Sequence, residues 1–331
     1  MTALSSSSNH RVAIVGVGEM GRRHARVFAG LPAHFTLVGV MDTSAKSAAA
    51  VARAMGVPLL TTESEAIARS DLVVLATPIG HHGATAARAL AAERHVLVEK
   101  PICSRVEEAL ELVAEAQRRK RQLFVGHSER YNPVIRALVA EIDPREIRSV
   151  ELSRRGPPHR RSIEHGVILN LGIHDLDLLG HLTQSVVELS SAVGRLSQAP
   201  SSNGEDRALL MVSTASGATG RIYVDRVSAA RQRTIQVTTR HCVFHGDLLN
   251  HRLTRVLPAS RGGAMQDVPL ADDEPLVAQA LDVARALDGE DAYALARGIE
   301  GARALALAER AARWIRRDAV SSAPAAAAEK L

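Results

Sequence analysis

Aromatic side chains are nearly missing from this chain: phenylalanine, tyrosine and tryptophan make up 2% of its 331 residues. That excludes a nucleic-acid surface built on base stacking, which needs exposed rings. The core must then be made of Ala, Leu and Val, and hydrophobic residues reach 46%, enough for one. Cysteine is as scarce. Cys103 and Cys242 are too few for a disulfide framework and form no CxxC metal pair, so a reducing, cytoplasmic setting is expected. His159, His165, His174 and His181 lack metal-ligand spacing, and no metal is expected. No apolar run is long enough to cross a bilayer, so no membrane partner is expected. Residues 1–10 are polar and serine-rich, without the apolar core of a signal peptide. They read as a flexible N-terminus, and residues 319–331 as a flexible tail. No internal repeat and no helix-turn-helix stands out, so no nucleic-acid partner is expected.

What is present is basic and strongly patterned. The formal net charge of +5 is dispersed along the chain, a balance that fits small phosphate-bearing ligands. The densest run, Arg118-Arg119-Lys120-Arg121, closes a predicted helix and suits its negative end. The length predicts two domains. Over residues 11–126, predicted strands at 11–15, 35–41, 59–61, 71–76, 96–99 and 123–125 alternate with helices at 20–31, 44–55, 82–92 and 106–120. Such alternation means an α/β, doubly wound parallel sheet. Beyond Gly126 come a helix at 133–141, a strand at 147–154, a basic loop and a helix at 170–182. Strands at 186–194, 208–214, 219–227, 234–239 and 242–244 then follow one another directly, before helices at 276–287 and 298–316. Residues 127–318 therefore read as an α+β domain with an antiparallel sheet.

Gly16-Val17-Gly18-Glu19-Met20-Gly21 is a GxGxxG motif that follows a predicted strand and opens a predicted helix. In that context it marks a dinucleotide site. Gly16 serves the tight turn, Gly18 lets backbone approach a pyrophosphate, and Gly21 lets helix and strand pack. The helix start, with Glu19 and Met20, offers N–H groups to the phosphates. Asp42 ends the second strand, 21 residues past Gly21. A carboxylate there accepts bonds from the ribose hydroxyls and repels a 2′-phosphate, which favours NAD, with NADP as the alternative. Thr77-Pro78 follows the fourth strand and is placed to cover the cofactor, with His82 at the start of the next helix.

Glu99-Lys100-Pro101 closes the apolar run His95-Val96-Leu97-Val98. Lys100 thus stands at the carboxyl end of a parallel strand, where open α/β sheets place ligands. Its ammonium can hydrogen-bond a substrate oxygen and exchange a proton with it. Glu99 and Lys100 join the cofactor-binding set, and a nicotinamide-dependent dehydrogenase is the natural reading.

With Ala76-Thr77-Pro78 and Asn170-Leu171-Gly172-Ile173-His174-Asp175, these segments resemble the glucose-fructose oxidoreductase/inositol dehydrogenase/MocA family over residues 10–316. The resemblance implies a Rossmann domain followed by a substrate-binding domain with an open, mostly antiparallel sheet. Through that sheet members form homodimers or homotetramers. It implies that Lys100 touches the reacting oxygen beside the nicotinamide. Residues 125–133 and 172–178 look most like members acting on UDP-N-acetylglucosamine at C3, and more distantly like inositol dehydrogenases.

Asn170 and His174 are four apart and share one face of a helix, a face the resemblance places over the nicotinamide. His174 is then the candidate base. Lys100 polarises the oxygen or exchanges roles with it. Many family members have aspartate where Asn170 stands; asparagine can orient an imidazole but adds no charge, so a less basic His174 is expected. Asp175, about 100° around the helix, is expected on a sugar hydroxyl or a nearby backbone group. Arg155 and Arg160, with Arg154, His159 and Arg161, are expected to hold a pyrophosphate. Tyr131 and Asn132 are expected to contact substrate or to pack locally. The alternatives are a cyclitol dehydrogenase, which needs no such arginines, and a cofactor-binding regulatory protein without turnover.

Overall fold

In a computed structural model of the chain, residues 9–157, 165–197 and 204–322 are described. The chain forms two compact units, Met1–Tyr131 with Asp273–Ala302, and Asn132–Asp272 with Arg303–Leu331.

The first unit is built on strands β1 (His10–Val15), β2 (Phe35–Met41), β3 (Leu72–Leu75), β4 (His95–Glu99) and β5 (Leu123–Gly126). They form one five-stranded sheet in the order β2-β1-β3-β4-β5, and every pairing is parallel. β3 is Leu-Val-Val-Leu with every residue buried, as a strand covered on both faces requires. The order reverses direction next to β1, and ligands of such sheets bind at that switch, beyond the carboxyl ends of the strands. The helices are α1 (Glu19–Ala29), α2 (Ala45–Met55), α3 (Glu63–Arg69), α4 (His82–Ala91) and α5 (Val106–Arg118).

Residues 59–61, expected as a strand, form none. Leu59 makes only an isolated bridge to Val40. Val40 N–H donates to Pro58 O and Leu60 N–H to Val40 O, and Pro58 has no N–H with which to continue a ladder. The sheet therefore has five strands where six were expected. α3 is not expected from the residue pattern. Its start carries a capping pattern: Thr62 Oγ1 accepts from Glu65 N–H, and the Glu65 carboxylate accepts from Thr61 N–H.

The second unit starts with α6 (Pro133–Glu141), whose first turn is capped by the Asn132 side chain. Its eight-stranded sheet runs β13-β12-β11-β10-β6-β9-β8-β7. The strands are β6 (Ile147–Arg155), β7 (Val187–Leu196), β8 (Glu205–Thr214), β9 (Thr219–Asp225), β10 (Gln232–Thr239), β11 (Val243–Asp247), β12 (Arg252–Val256) and β13 (Met265–Asp267). Only β6 and β9 pair in parallel. One face is apolar and packs with α7 (Ile173–Thr183) in a core that includes Leu176, Leu179, Leu210, Ile222 and Ile235. The other face is mostly polar, with Glu151, Arg155 and Arg221, and carries a few apolar side chains such as Val193 and Met211. β12 and β13 were not anticipated, because they are short and mostly polar or exposed.

The chain then returns to the first unit with α8 (Pro275–Leu287), whose Leu276, Ala280, Val283 and Ala284 join the core of α1 and the parallel sheet. α9 (Gly298–Ser322) closes the described chain. No described helix is long and apolar enough to cross a membrane.

Candidate active site

The glycine turn after β1 has the geometry its sequence predicts. Gly16 has φ +90°, and a Cβ on it would lie 2.7 Å from the Ala76 backbone. A Cβ on Gly21 would lie 1.8 Å from Gly16 O. Both glycines are thus demanded by the fold. Gly18 differs: a Cβ there would meet nothing within 4 Å. Its smallness has no internal cause and leaves room for backbone to approach a ligand. Gly18 is also the N-cap of α1 and supplies no side-chain cap, so the helix start suits an anion. Glu19 is exposed and pairs with Arg23, while Met20 is half-buried.

Asp42 is aimed back at this turn. Its Oδ2 accepts from Val17 N–H at 2.7 Å and its Oδ1 from Ser44 N–H at 2.8 Å. Each oxygen keeps a further lone pair for a ribose hydroxyl. Thr77 follows β3, and its buried Oγ1 has no partner among the described residues. Pro78 is exposed. These features fit a bound dinucleotide.

His82 does not face outward. It is 1% exposed, with Nδ1 2.8 Å from Pro101 O and Nε2 2.8 Å from Thr77 O. One imidazole therefore lies between the turn after β3 and the turn after Lys100, and its neutral form donates to one of the two carbonyls. Burial pushes its pKa below the ordinary histidine value, against the pull of the two carbonyls. His82 therefore supports the Thr77-Pro78 turn from inside the protein.

Glu99 is likewise internal. Its Oε1 lies 2.7 Å from His24 Nε2, and its Oε2 accepts from Lys100 N–H at 3.3 Å. Burial opposes its ionisation. The hydrogen bond from His24 and the charges of His24, Lys100 and His82 win, and its pKa is held below the ordinary carboxylate value. Gly126 on β5 leaves room for this carboxylate, since a Cβ there would come within 2.9 Å of it. Half-buried Lys100 thus follows a strand end braced by a buried acid. His24 escaped the sequence reading; the signal was a histidine on α1's apolar face, beside Gly21, Ala25 and Phe28, where a polar ring needs a partner.

Two other predicted contacts are engaged internally. Tyr131 is buried and its hydroxyl donates to Asp282 at 2.9 Å. Asn132 accepts from Val134 N–H as a cap and donates to Leu248 O.

In the second unit the helix expected over 170–182 has a different start. Residues Ile168–Gly172 form a π-turn, in which Ile173 N–H reaches back to Ile168 O, and the regular helix begins at Ile173. Asn170 lies in the π-turn and His174 in the first turn of α7, both half-buried. Such turns are frequent at functional sites.

Asp175 is not available to a sugar hydroxyl. It is buried, and its Oδ1 accepts from Arg154 Nη2 at 2.9 Å and Nε at 3.1 Å, with Oδ2 3.3 Å from Nε. Arg154 and Arg155 were expected together on one ligand, but both belong to β6, where successive side chains point to opposite faces. Arg154 meets α7. Exposed Arg155 lies on the other face, its guanidinium 4.7 Å from the Tyr223 ring centroid. His159, Arg160 and Arg161 lie outside the described residues. Among those described, no cluster of His, Cys, Asp and Glu could hold a metal.

The profile described as "Oxidoreductase family, NAD-binding Rossmann fold" (GFO_IDH_MocA) matches residues 10–127. That of the family's C-terminal domain matches residues 142–248. The chain is 31% identical over 304 residues to the UDP-N-acetylglucosamine 3-dehydrogenase of Acidithiobacillus ferrooxidans, covering 90% of this chain and 95% of that one. A solved structure of the enzyme of that name from the same organism gives a TM-score of 0.85 at 29% identity, covering 93% of this chain and 98% of that one. The scyllo-inositol 2-dehydrogenase (NAD(+)) of Bacillus subtilis is 25% identical over 274 residues, covering 78% and 80%. This chain belongs to the Gfo/Idh/MocA oxidoreductase family, and its first unit carries that family's NAD-binding Rossmann fold.

Proposed function

We propose that the protein oxidises a secondary alcohol of a nucleotide sugar of the UDP-N-acetylglucosamine kind, or reduces the matching ketone. Bound NAD supplies the hydride acceptor. Lys100 is the group that hydrogen-bonds the reacting oxygen and lowers the cost of its developing charge. His174 is the group that exchanges the hydroxyl proton, because imidazole ionises near neutral pH. Asn170, one turn earlier, orients that ring or the substrate without adding charge. The observation that carries the reading is the Lys100 turn: a lysine at a parallel strand's carboxyl end, braced by the buried Glu99–His24 pair. The 31% identity to a UDP-N-acetylglucosamine 3-dehydrogenase supports the substrate class.

A cyclitol substrate is the second reading. It is favoured by the engagement of Arg154 with Asp175 and of Arg155 with Tyr223, which leaves the described part of the arginine set with no phosphate duty. We also propose that the mostly polar outer face of the eight-stranded sheet joins copies of the chain. It offers both signs of charge, as in the Arg221–Glu151 pair, so two copies related by a twofold axis can match. Light scattering of the wild type and Tyr223→Glu tests this; a wild-type monomer refutes it.

The deciding assay follows NADH absorbance with UDP-N-acetylglucosamine, UDP-glucose, glucose, myo-inositol and scyllo-inositol, each beside Lys100→Ala. Turnover with a UDP-sugar alone, lost in the variant, is expected. Turnover with cyclitols alone moves the assignment to the second reading. Full activity in Lys100→Ala refutes the role of the lysine.

A further inference from the structure

The backbone that leads into the π-turn is gripped at two points by charged groups that no reading of the active site uses. Glu205 opens β8, and its Oε1 accepts from Ile168 N–H at 2.8 Å. Arg226, just past β9, donates from Nη1 to His165 O at 2.6 Å. The same guanidinium donates from Nε to Asp206 Oδ1 at 2.8 Å. Glu205 and Asp206 are neighbours, so the start of β8 holds both ends of residues 165–168, one end directly and the other through Arg226.

The packing at this point allows little slack. Glu205 is 1% exposed and Arg226 4%. A Cβ on Gly166 would fall 2.3 Å from Glu205 Oε1, and one on Gly204 would fall 2.2 Å from Gly166 Cα. Two glycines let the segment and the start of β8 touch. The arrangement is also costly. Glu205 Oε2 is buried with no hydrogen-bond partner among the described residues, and an unsatisfied buried polar atom is destabilising. Burial raises the Glu205 pKa above the ordinary carboxylate value, against the pull of the Ile168 N–H, Arg316 and Arg226. A plain cap could be made by a serine or asparagine at the segment itself. A buried carboxylate reaching across from another strand fixes where the helix starts as well as capping it. The first N–H groups of a helix have no internal partners, and a negative charge there is favourable.

We propose that Glu205 and Arg226 are positioning residues that hold the start of the π-turn and so set the orientation of Asn170 and His174. The proposal rests on the assignment of His174 to the reacting hydroxyl. It adds that this orientation is imposed by the clamp and not by α7 alone. Neither residue need touch substrate. Misplacing a catalytic group by about 1 Å can cost about 100-fold in rate, so a clamp of two short contacts is enough to matter.

The test compares Glu205→Ala, Glu205→Gln and Arg226→Lys with wild type, all with NAD bound. The readouts are the NMR titration of the His174 imidazole without substrate, the pH–rate profile, and kcat and KM separately. Glu205→Ala is expected to lower kcat by about 10- to 100-fold, to leave the KM for NAD unchanged, and to shift the His174 titration. Glu205→Gln keeps an acceptor for Ile168 N–H and should restore most of the rate. Arg226→Lys should fall between them. A folded Glu205→Ala with wild-type titration and pH–rate profile overturns the proposal. If that variant does not fold, Arg226→Lys decides, and wild-type titration and pH–rate profile in it overturn the proposal. Should the wild type turn over none of the sugars or cyclitols, the functional reading fails, while the His174 titration still decides the clamp.

Discussion

The brace behind Lys100 makes the sharpest energetic prediction. Replacing His24 by phenylalanine keeps an aromatic ring against Phe28 but removes the nitrogen that lies 2.7 Å from Glu99 Oε1. Both side chains are deeply buried, at 2% and 10% exposure. A hydrogen bond to a charged group is worth about 1.5–3 kcal/mol. Breaking a buried ion pair from one side costs about 3–5 kcal/mol. We expect His24→Phe to lose about 3 kcal/mol near neutral pH. Glu99→Gln on top of it should recover most of that loss, since removing both partners leaves no buried charge. The pH dependence provides a second signature. In the wild type the Glu99 pKa lies below the ordinary 4.5, so its stabilisation is present above that value and fades as pH falls through the folded pKa. In His24→Phe, burial, the largest influence on this carboxylate, is opposed only by the Lys100 N–H and the weaker pull of the Lys100 and His82 charges, and the pKa rises. The penalty is then small below the ordinary value and grows by about 1.4 kcal/mol per pH unit until the raised pKa is passed. Urea unfolding of the three proteins between about pH 4.5 and 8, followed by far-UV circular dichroism, reads both effects. A loss that does not change with pH, or a double variant no better than the single one, would refute the reasoning.

Three further outcomes follow from the same geometry. Gly18→Ala should leave the melting temperature within a few degrees of wild type but weaken NAD binding, because a Cβ there meets only open space. Gly16→Ala, at φ +90° against the Ala76 backbone, should lower the melting temperature outright; equal melting of the two contradicts the distinction. Arg155→Ala should leave KM for any sugar nucleotide within about twofold, since the residue faces away from α7, whereas Arg154→Ala strips buried Asp175 of its guanidinium partner and should cost about 3 kcal/mol in urea unfolding. Asn170→Asp adds a negative charge one turn from His174, favours the imidazolium, and should move the acid limb of the pH–rate profile to higher pH; an unmoved limb argues against His174 as the base.

The difference between what could and could not be read from the residues is one of range. β3, β4 and β5 are legible because a strand buried on both faces must be a continuous apolar run. The glycine turn is legible because its three glycines do separate jobs within six consecutive residues. Asp42 and Lys100 are legible because each ends such a strand. The errors begin where a side chain's partner lies far along the chain. Arg154 and Arg155 read as one basic cluster until strand alternation sends one inward to Asp175 and the other outward to Tyr223. Glu205 is 37 residues from Ile168, and Arg226 is 61 from His165, so neither contact leaves a trace in local spacing. The expected start of β8 at Ala208, three residues late, hid Glu205 and Asp206 in a presumed loop. The same holds for His24, 75 residues from Glu99. The groups assigned here to chemistry are local signals, whereas those assigned to holding them in place are long-range contacts. If that division is physical, substitutions at Lys100 and His174 should abolish turnover with little loss of stability. Substitutions at His24, Glu205 and Arg226 should lower stability and turnover together, with recovery in the variants that restore the lost hydrogen bond or remove the stranded charge.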